Sequence, residues 1–253
     1  MTSALLLGAT KGLGLELARE GARRNLSPII YGRSASEPNA ITEIPPQAVL
    51  YPIDLHSAER VQHAPLPTTP VAFFFWVAGA FHKGPLQQTE PSEIDLHTDL
   101  HFRGPVQFLR RFLRHQAEPF HLVTIGSVSS WRLREDEALY CGLKAAQTAF
   151  TRNFAVELVR DRPGSQVTLI NPGGLNIPTF WEKWESTAPD LGGFLDPGQV
   201  ARIIWDLTLT QTEPFRETQL MRRKPHGSGV DPIIEHHPRC PEVLGNLNQG
   251  KTP

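Results

Sequence analysis

The sequence predicts a doubly wound α/β fold: one sheet of about seven strands, mostly parallel, with helices on both faces. Three observations carry this reading. Short apolar runs alternate with helical stretches across residues 3–222. A glycine turn, Gly8 to Gly14, joins the first apolar run directly to the first helix. The run Val71-Ala-Phe-Phe-Phe-Trp-Val77 is apolar without alternation, as a central parallel strand covered on both faces requires.

Taken in order, Ser3–Leu7 is a buried first strand, too short for a helix before Gly8. Gly8, Gly12 and Gly14 permit a tight turn, close backbone approach and tight helix packing. The helix from Gly12 to near Arg24 buries Leu13, Leu17 and Ala18. Pro28–Gly32 and Ala48–Ile53 are the second and third strands. Asp54 follows, equally suited to cap a helix over Ser57–Val61. Pro65, Pro67 and Pro70 make His63–Pro70 a loop. Pro91–His115 is a long helical region interrupted around Arg103-Gly104-Pro105, its apolar face built from Phe102, Val106, Leu109, Phe112 and Leu113. Phe120–Ile125 is the fifth strand. The helix from Ala138 to Arg160 carries an apolar stripe of Phe150, Phe154 and Leu158, and Asp161, Pro163 and Gly164 stop it. Gln166–Ile170 is the sixth strand and runs into Asn171-Pro172-Gly173-Gly174. Asp196-Pro197-Gly198-Gln199 is a helix start, with Asp as N-cap and Pro in the first turn. That helix reaches about Leu209, and Glu217–Met221 is a last strand. Residues 1–222 read as one domain. Residues 223–253, rich in Pro, Gly and His, read as an irregular tail. Its His226, His236, His237 and Cys240 have no metal-ligand spacing.

The chemistry-bearing stretch is Ser127 to Lys144. Tyr140 and Lys144 are four apart, on one face of a helix. A phenol normally ionises near pH 10; an ammonium held close favours the phenolate and lowers that value. Ser127, just past the fifth strand, can aim its hydroxyl at whatever Tyr140 touches; Ser129 and Ser130 compete for that role. Together these are a proton donor, its tuner and an oxygen-binding group. A tyrosine packed on a lysine stem is the commoner meaning of the spacing alone. The glycine turn upstream adds to it, because the free N–H groups and positive dipole end of the following helix suit a pyrophosphate.

With Gly-x-x-x-Gly-x-Gly at Gly8–Gly14, Ser127 thirteen residues before Tyr140, and Tyr-x-x-x-Lys, the chain resembles the short-chain dehydrogenase/reductase family in its single-domain branch over roughly residues 3–222. The resemblance implies a Rossmann-type sheet in the order 3-2-1-4-5-6-7. It also implies an oxidoreductase interconverting a carbonyl and an alcohol by hydride transfer. Tyr140 would be the proton donor. Lys144 would tune the phenol and hold the nicotinamide ribose, and Ser127 would bind the carbonyl oxygen. Gly8, Thr10, Lys11, Gly12, Leu13 and Gly14 would cradle the cofactor. Asp54 and Leu55 would lie at the adenine edge, Ala78 and Gly79 would let the cofactor come close, and Pro172 and Gly173 would meet the nicotinamide carboxamide. No acid ends the second strand; Arg33, followed by Ser34, stands there, with Lys11 in the glycine turn. A carboxylate in that place would accept the ribose hydroxyls of NAD, and two cations point to NADP. His101 occupies the place of the family's relay asparagine, where it either holds a water and exchanges a proton near neutrality or is a packed helix residue. Leu7 in place of a threonine, Trp76 and Val77 in place of two asparagines, and Ile177 in place of a threonine, which Thr179 could replace, are departures. Phe180, Trp181 and Trp184, between Pro178 and Gly193, suggest either a substrate lid or simple core or interface packing. The family's habit implies a homodimer or homotetramer.

A net charge of -1 gives no basic footprint for nucleic acid and no general attraction to membranes. The longest apolar run, Val71–Ala80, is too short to span a bilayer. Two cysteines, Cys141 and Cys240, make no disulfide framework, and no secretory start is recognisable, so the expected setting is the cytoplasm. No metal is expected. The rival function is a dinucleotide-binding sensor or scaffold without chemistry; a mere binder has no need of Ser127 or Tyr140.

Overall fold

A computed structural model describes residues 2–37, 44–181, 193–222 and 230–235. The strands β1 (Ser3–Leu7), β2 (Ser27–Gly32), β3 (Val49–Pro52), β4 (Val71–Trp76), β5 (His121–Ile125), β6 (Gln166–Pro172), β7 (Phe215–Arg222) and β8 (Val230–Glu235) form one sheet in the order β3-β2-β1-β4-β5-β6-β7-β8. The first seven are parallel, in the predicted order, and β8 runs antiparallel beside β7. The helices are α1 (Gly12–Arg23), α2 (Ala58–His63), α3 (Pro91–Thr98), α4 (Gly104–His115), α5 (Ala138–Asp161), α6 (Pro178–Trp181) and α7 (Pro197–Leu209). No helix among the described residues is long and apolar enough to cross a membrane.

Strand β4 shows why the central run is apolar throughout. Successive side chains point to opposite faces, and both faces are covered. Phe74 packs on Phe112 of α4, with ring centres 5.0 Å apart, on one side, and Phe75 on Trp205 of α7, at 4.7 Å, on the other. Both phenylalanines are fully buried, each stabilising the fold by about 2 kcal/mol. Trp205 closes the second layer: its indole donates to the Leu17 carbonyl at 2.9 Å and its ring lies against Gly21, where a side chain would collide. On the first face, Gly104 lets α4 approach the Leu55 backbone.

Helix α5, which carries Tyr140 and Lys144, is tied to the sheet by a part-buried ion pair. Glu217 of β7, only 2 % exposed, receives two hydrogen bonds from Arg152, both 2.8 Å, and a third of 2.9 Å from Asn171 of β6. Parallel planar groups of this kind fix orientation as well as distance, so the helix is held in rotation against the strand ends.

Three expectations are corrected. Residues 230–235 of the predicted irregular tail form β8, which covers the otherwise open edge of β7. The helical region over Pro91–His115 is not broken at Arg103-Gly104-Pro105 but passes through a π turn, Asp99–Arg103. Pro105 has no amide hydrogen to give the carbonyl one turn back, and the chain accommodates this with the wider turn. Ser57, not Asp54, caps α2, accepting from the Arg60 amide at 3.2 Å; Asp54 instead accepts from His56 N at 3.1 Å in a local turn. Trp184, His226, His236, His237 and Cys240 lie outside the described residues.

Candidate active site

The turn between β1 and α1 has the shape of an anion cradle. Gly8 and Gly12 have φ of 92° and 59°, conformations that glycine adopts without strain. A side chain at Gly8 would come within 2.5 Å of the Ala78 backbone, and one at Gly14 within 2.5 Å of the Gly8 carbonyl. The Val77 and Ala78 amides both donate to the Leu7 carbonyl, at 3.0 and 2.8 Å, which brings Ala78 and Gly79 beside the turn. Lys11 is the N-cap of α1 and makes no side-chain cap, and no acidic side chain stands in the first turn. The first amides and the dipole of a twelve-residue helix therefore face an open, electropositive corner. Lys11 and Arg33 are both exposed; Arg33 opens a short 3-10 turn, Arg33–Ser36, directly after β2. Gly32 lacks the side chain that would strike Thr10, so the two loops meet closely. These residues fit a nicotinamide dinucleotide. Leu13 and Leu55 are buried core residues, and their side chains serve packing. Asp54 is half-buried and spends one oxygen on its own turn. Pro172 ends β6, and the Gly173 amide donates to Leu220 O at 2.9 Å.

Ser127, Tyr140 and Lys144 converge. All three are buried. Burial pushes the Tyr140 phenol well above its ordinary value, while the neighbouring Ser127 side chain pulls the other way. Ser127 also accepts from the Ser129 amide at 3.1 Å, which fixes its rotamer. Lys144 Nζ donates to the Ile125 carbonyl at the end of β5 and to Gln147 Oε1, both at 3.0 Å. Burial alone brings its pKa down to about 7. The sequence expectation that the ammonium lowers the phenol pKa does not hold for the chain alone: both groups are desolvated together, and each is driven toward its neutral form. Gln147 has no motif to mark it in the sequence. It reads there as an ordinary polar position, and only its complete burial one turn beyond Lys144 shows its role.

His101 lies in the π turn, fully buried. Its Nε2 contacts Ala80 O at 2.7 Å and Ala80 N at 3.0 Å. Burial first, then the Lys144 charge, hold its imidazole well below the ordinary value, against the Ala80 hydrogen bond. Of the two sequence readings of His101, this weighs against titration near neutrality, and Lys144 is the group brought there. The Tyr140 ring is enclosed by His101 at 5.7 Å, Phe81 at 5.2 Å and Phe180 of α6 at 6.4 Å between ring centres. Phe81 carries no motif in the sequence; it follows the Ala78-Gly79 turn, which brings it beside the phenol.

A glycine turn on a doubly wound sheet, beside a Ser-Tyr-Lys cluster, defines a Rossmann-type fold with a candidate active site. Comparison with known proteins specifies it: residues 2–188 match the family model described as short chain dehydrogenase, and the chain belongs to that family. It is 25 % identical over 187 residues to the uncharacterized oxidoreductase YxnA of Bacillus subtilis, with 69 % of this chain aligned to 52 % of that protein, so it spans about half that relative's length. It is 27 % identical over 194 residues to the tetrahydroxynaphthalene reductase PfmaG of Pestalotiopsis fici, covering 71 % of this chain and 68 % of the other. Among solved structures, the alcohol dehydrogenase of the archaeon Thermococcus sibiricus, in complex with 5-hydroxy-NADP, superposes with a TM-score of 0.70 at 20 % identity over 89 % of this chain and 100 % of that one.

The buried lysine has a consequence for stability. In the unfolded chain Lys144 titrates at the ordinary lysine value of 10.5; in the folded chain, at about 7. Between these values the unfolded state holds the extra proton, so this group's contribution to stability rises with pH across the window, and its cost is full below about pH 7. Lys144→Met removes that cost. Urea unfolding should show the variant gaining on wild type by at least about 1 kcal/mol more at about pH 6 than at about pH 9. A difference independent of pH would show that Lys144 is not depressed.

Proposed function

We propose that this protein is an NADP(H)-dependent oxidoreductase that interconverts a carbonyl compound and its alcohol. The observation that carries the reading is the buried cluster of Ser127, Tyr140 and Lys144, with the lysine anchored at the end of β5 one helical turn beyond the phenol. When bound, NADPH supplies the hydride; the chain supplies alignment and one proton. Ser127 and Tyr140 share a position from which both hydroxyls reach one substrate oxygen, and the high phenol pKa keeps Tyr140 protonated as a donor at neutral pH. Lys144, ionising near about 7, returns a proton to the phenolate that donation leaves. The aromatic surroundings of Tyr140, Phe81 and Phe180 favour an apolar or aromatic carbonyl substrate, in keeping with the name of the fungal relative. Lys11 and Arg33, with no acid at the end of β2, favour the 2′-phosphate of NADP. A homodimer or homotetramer and a cytoplasmic setting complete the reading. Ser127, which a passive dinucleotide binder would not need, argues against a sensor without chemistry.

Tyr140→Phe should lower kcat by at least about a hundredfold, the scale of lost general-acid catalysis, and leave NADPH affinity nearly unchanged. Steady-state assays with NADPH and a panel of aldehydes, ketones and quinones, with calorimetry for binding, check this. Turnover within a few-fold of wild type would refute the donor assignment. Wild type should also bind NADPH at least about tenfold more tightly than NADH, roughly 1.4 kcal/mol, with Arg33→Asp reversing the preference. Equal affinities in wild type would refute the phosphate reading.

A further inference from the structure

Tyr140 and Lys144 are both buried, so a proton spent on substrate must be replaced through the protein. The residues behind Lys144 are unusual for a core. His101, His97 and His82 are all buried, with exposures of 0, 4 and 1 %, and Glu93 stands beyond them with its side chain 30 % exposed. Glu93, His97 and His101 recur every four residues along α3 and the π turn, a spacing that stacks side chains on one helix face. His97 and His101 are stacked with ring centres 5.9 Å apart, and His82, from the loop after β4, meets His97 edge-on at 5.0 Å. His82 Nε2 lies 3.9 Å from a Glu93 carboxylate oxygen. At these separations ring nitrogens reach one another directly or across one bridging water.

At the inner end, His101 Nδ1 is buried with no hydrogen-bond partner among the described residues. Gly79 leaves open the space between it and Lys144: a Cβ there would lie 3.3 Å from His101 Nδ1 and 3.6 Å from Lys144 Nζ. His101 Nε2 can donate to Ala80 O or accept from Ala80 N, so both neutral tautomers are satisfied. Packing alone would be better served by apolar side chains, since buried polar groups cost free energy. A metal does not account for the cluster, because among the described residues no three of His, Cys, Asp and Glu are placed to hold one. Asp99, the buried acid of the same π turn, is engaged elsewhere, with His56 and Arg103 at 2.7 and 2.5 Å.

We propose that His101, His97 and His82 form a proton path from Lys144 to solvent, with Glu93 as its outer end. The path rests on the reading of Tyr140 and Lys144 given above and extends it through residues to which that reading gives no role. In the reducing direction Tyr140 gives one proton to the carbonyl oxygen, and Lys144 returns one to Tyr140. A solvent proton then enters at Glu93 and passes through His82, His97 and His101 to the Lys144 amine. Each imidazole accepts one proton and gives one up, so one solvent proton is consumed per turnover and the path ends unchanged. Oxidation runs the same steps backward. The low basicity of His101 makes its charged form a transient carrier.

The path can be read with no substrate or cofactor present. In the full chain with isotope-labelled lysine, NMR gives the exchange rate of the Lys144 ammonium protons with water at about pH 6, where the amine is protonated; Lys144→Met identifies the signal. His97→Phe, which keeps a ring but no titrating nitrogen, should slow exchange at least about tenfold. Glu93→Gln, at a partly exposed position that tolerates substitution, should slow it at least about threefold. A merely structural role predicts the opposite, since a loosened core exchanges faster. Exchange unchanged or faster in Glu93→Gln, or in folded His97→Phe, overturns the path. Tyr140→Phe tests the hydride-transfer reading by turnover alone, so failure of one proposal is distinguishable from failure of the other.

Discussion

The ammonium of Lys144 is held inside the protein by two acceptors, the carbonyl of Ile125 and the side chain of Gln147. Much of the structure can be understood as the means of keeping it there. The carbonyl belongs to the last residue of β5, so its position is set by the sheet. Gln147 sits one turn further along α5, whose rotation is fixed by Arg152 on Glu217. A buried cation without counter-charge is expensive, and proteins meet that cost by hydrogen bonding and by a lowered pKa. Both responses are visible. The result is a lysine that exchanges its proton near neutrality, placed behind a phenol that does not ionise there.

The departures from the family pattern fit this arrangement. Trp76 and Val77 stand where polar residues would otherwise support the sheet, and the sheet is supported by packing instead. Trp76 is fully buried and meets Phe150 of α5 at 5.8 Å, while the Val77 and Ala78 amides still find the Leu7 carbonyl. The backbone that must approach the cofactor is thus positioned without the missing side chains. His101, in place of an asparagine, stacks on His97, which in turn meets His82 edge-on.

Much of this was legible in the sequence, for physical reasons that can be named. The seven parallel strands showed because each is a short apolar run between breakers, and Phe74 and Phe75 could both be apolar only in a strand covered on two faces. Tyr140 and Lys144 showed because a helix converts a spacing of four into adjacency. Other features left no such trace. Strand β8 lies in a stretch whose composition resembles a tail, and it pairs through backbone groups that carry no side-chain signature. The π turn is a slip of the hydrogen-bond ladder, marked in sequence only by Pro105. Gln147 and Phe81 acquire roles from burial and from chain path. The two readings of His101 stayed open in the sequence because burial, which lowers its basicity, is not written in the residue's own identity.

The central claim is that burial brings one lysine into the range where it can lend and recover a proton. A direct NMR titration of the Lys144 side-chain amine in the wild-type chain tests it. The structure predicts a midpoint of about 7. Titration at the ordinary lysine value of 10.5 would contradict the account.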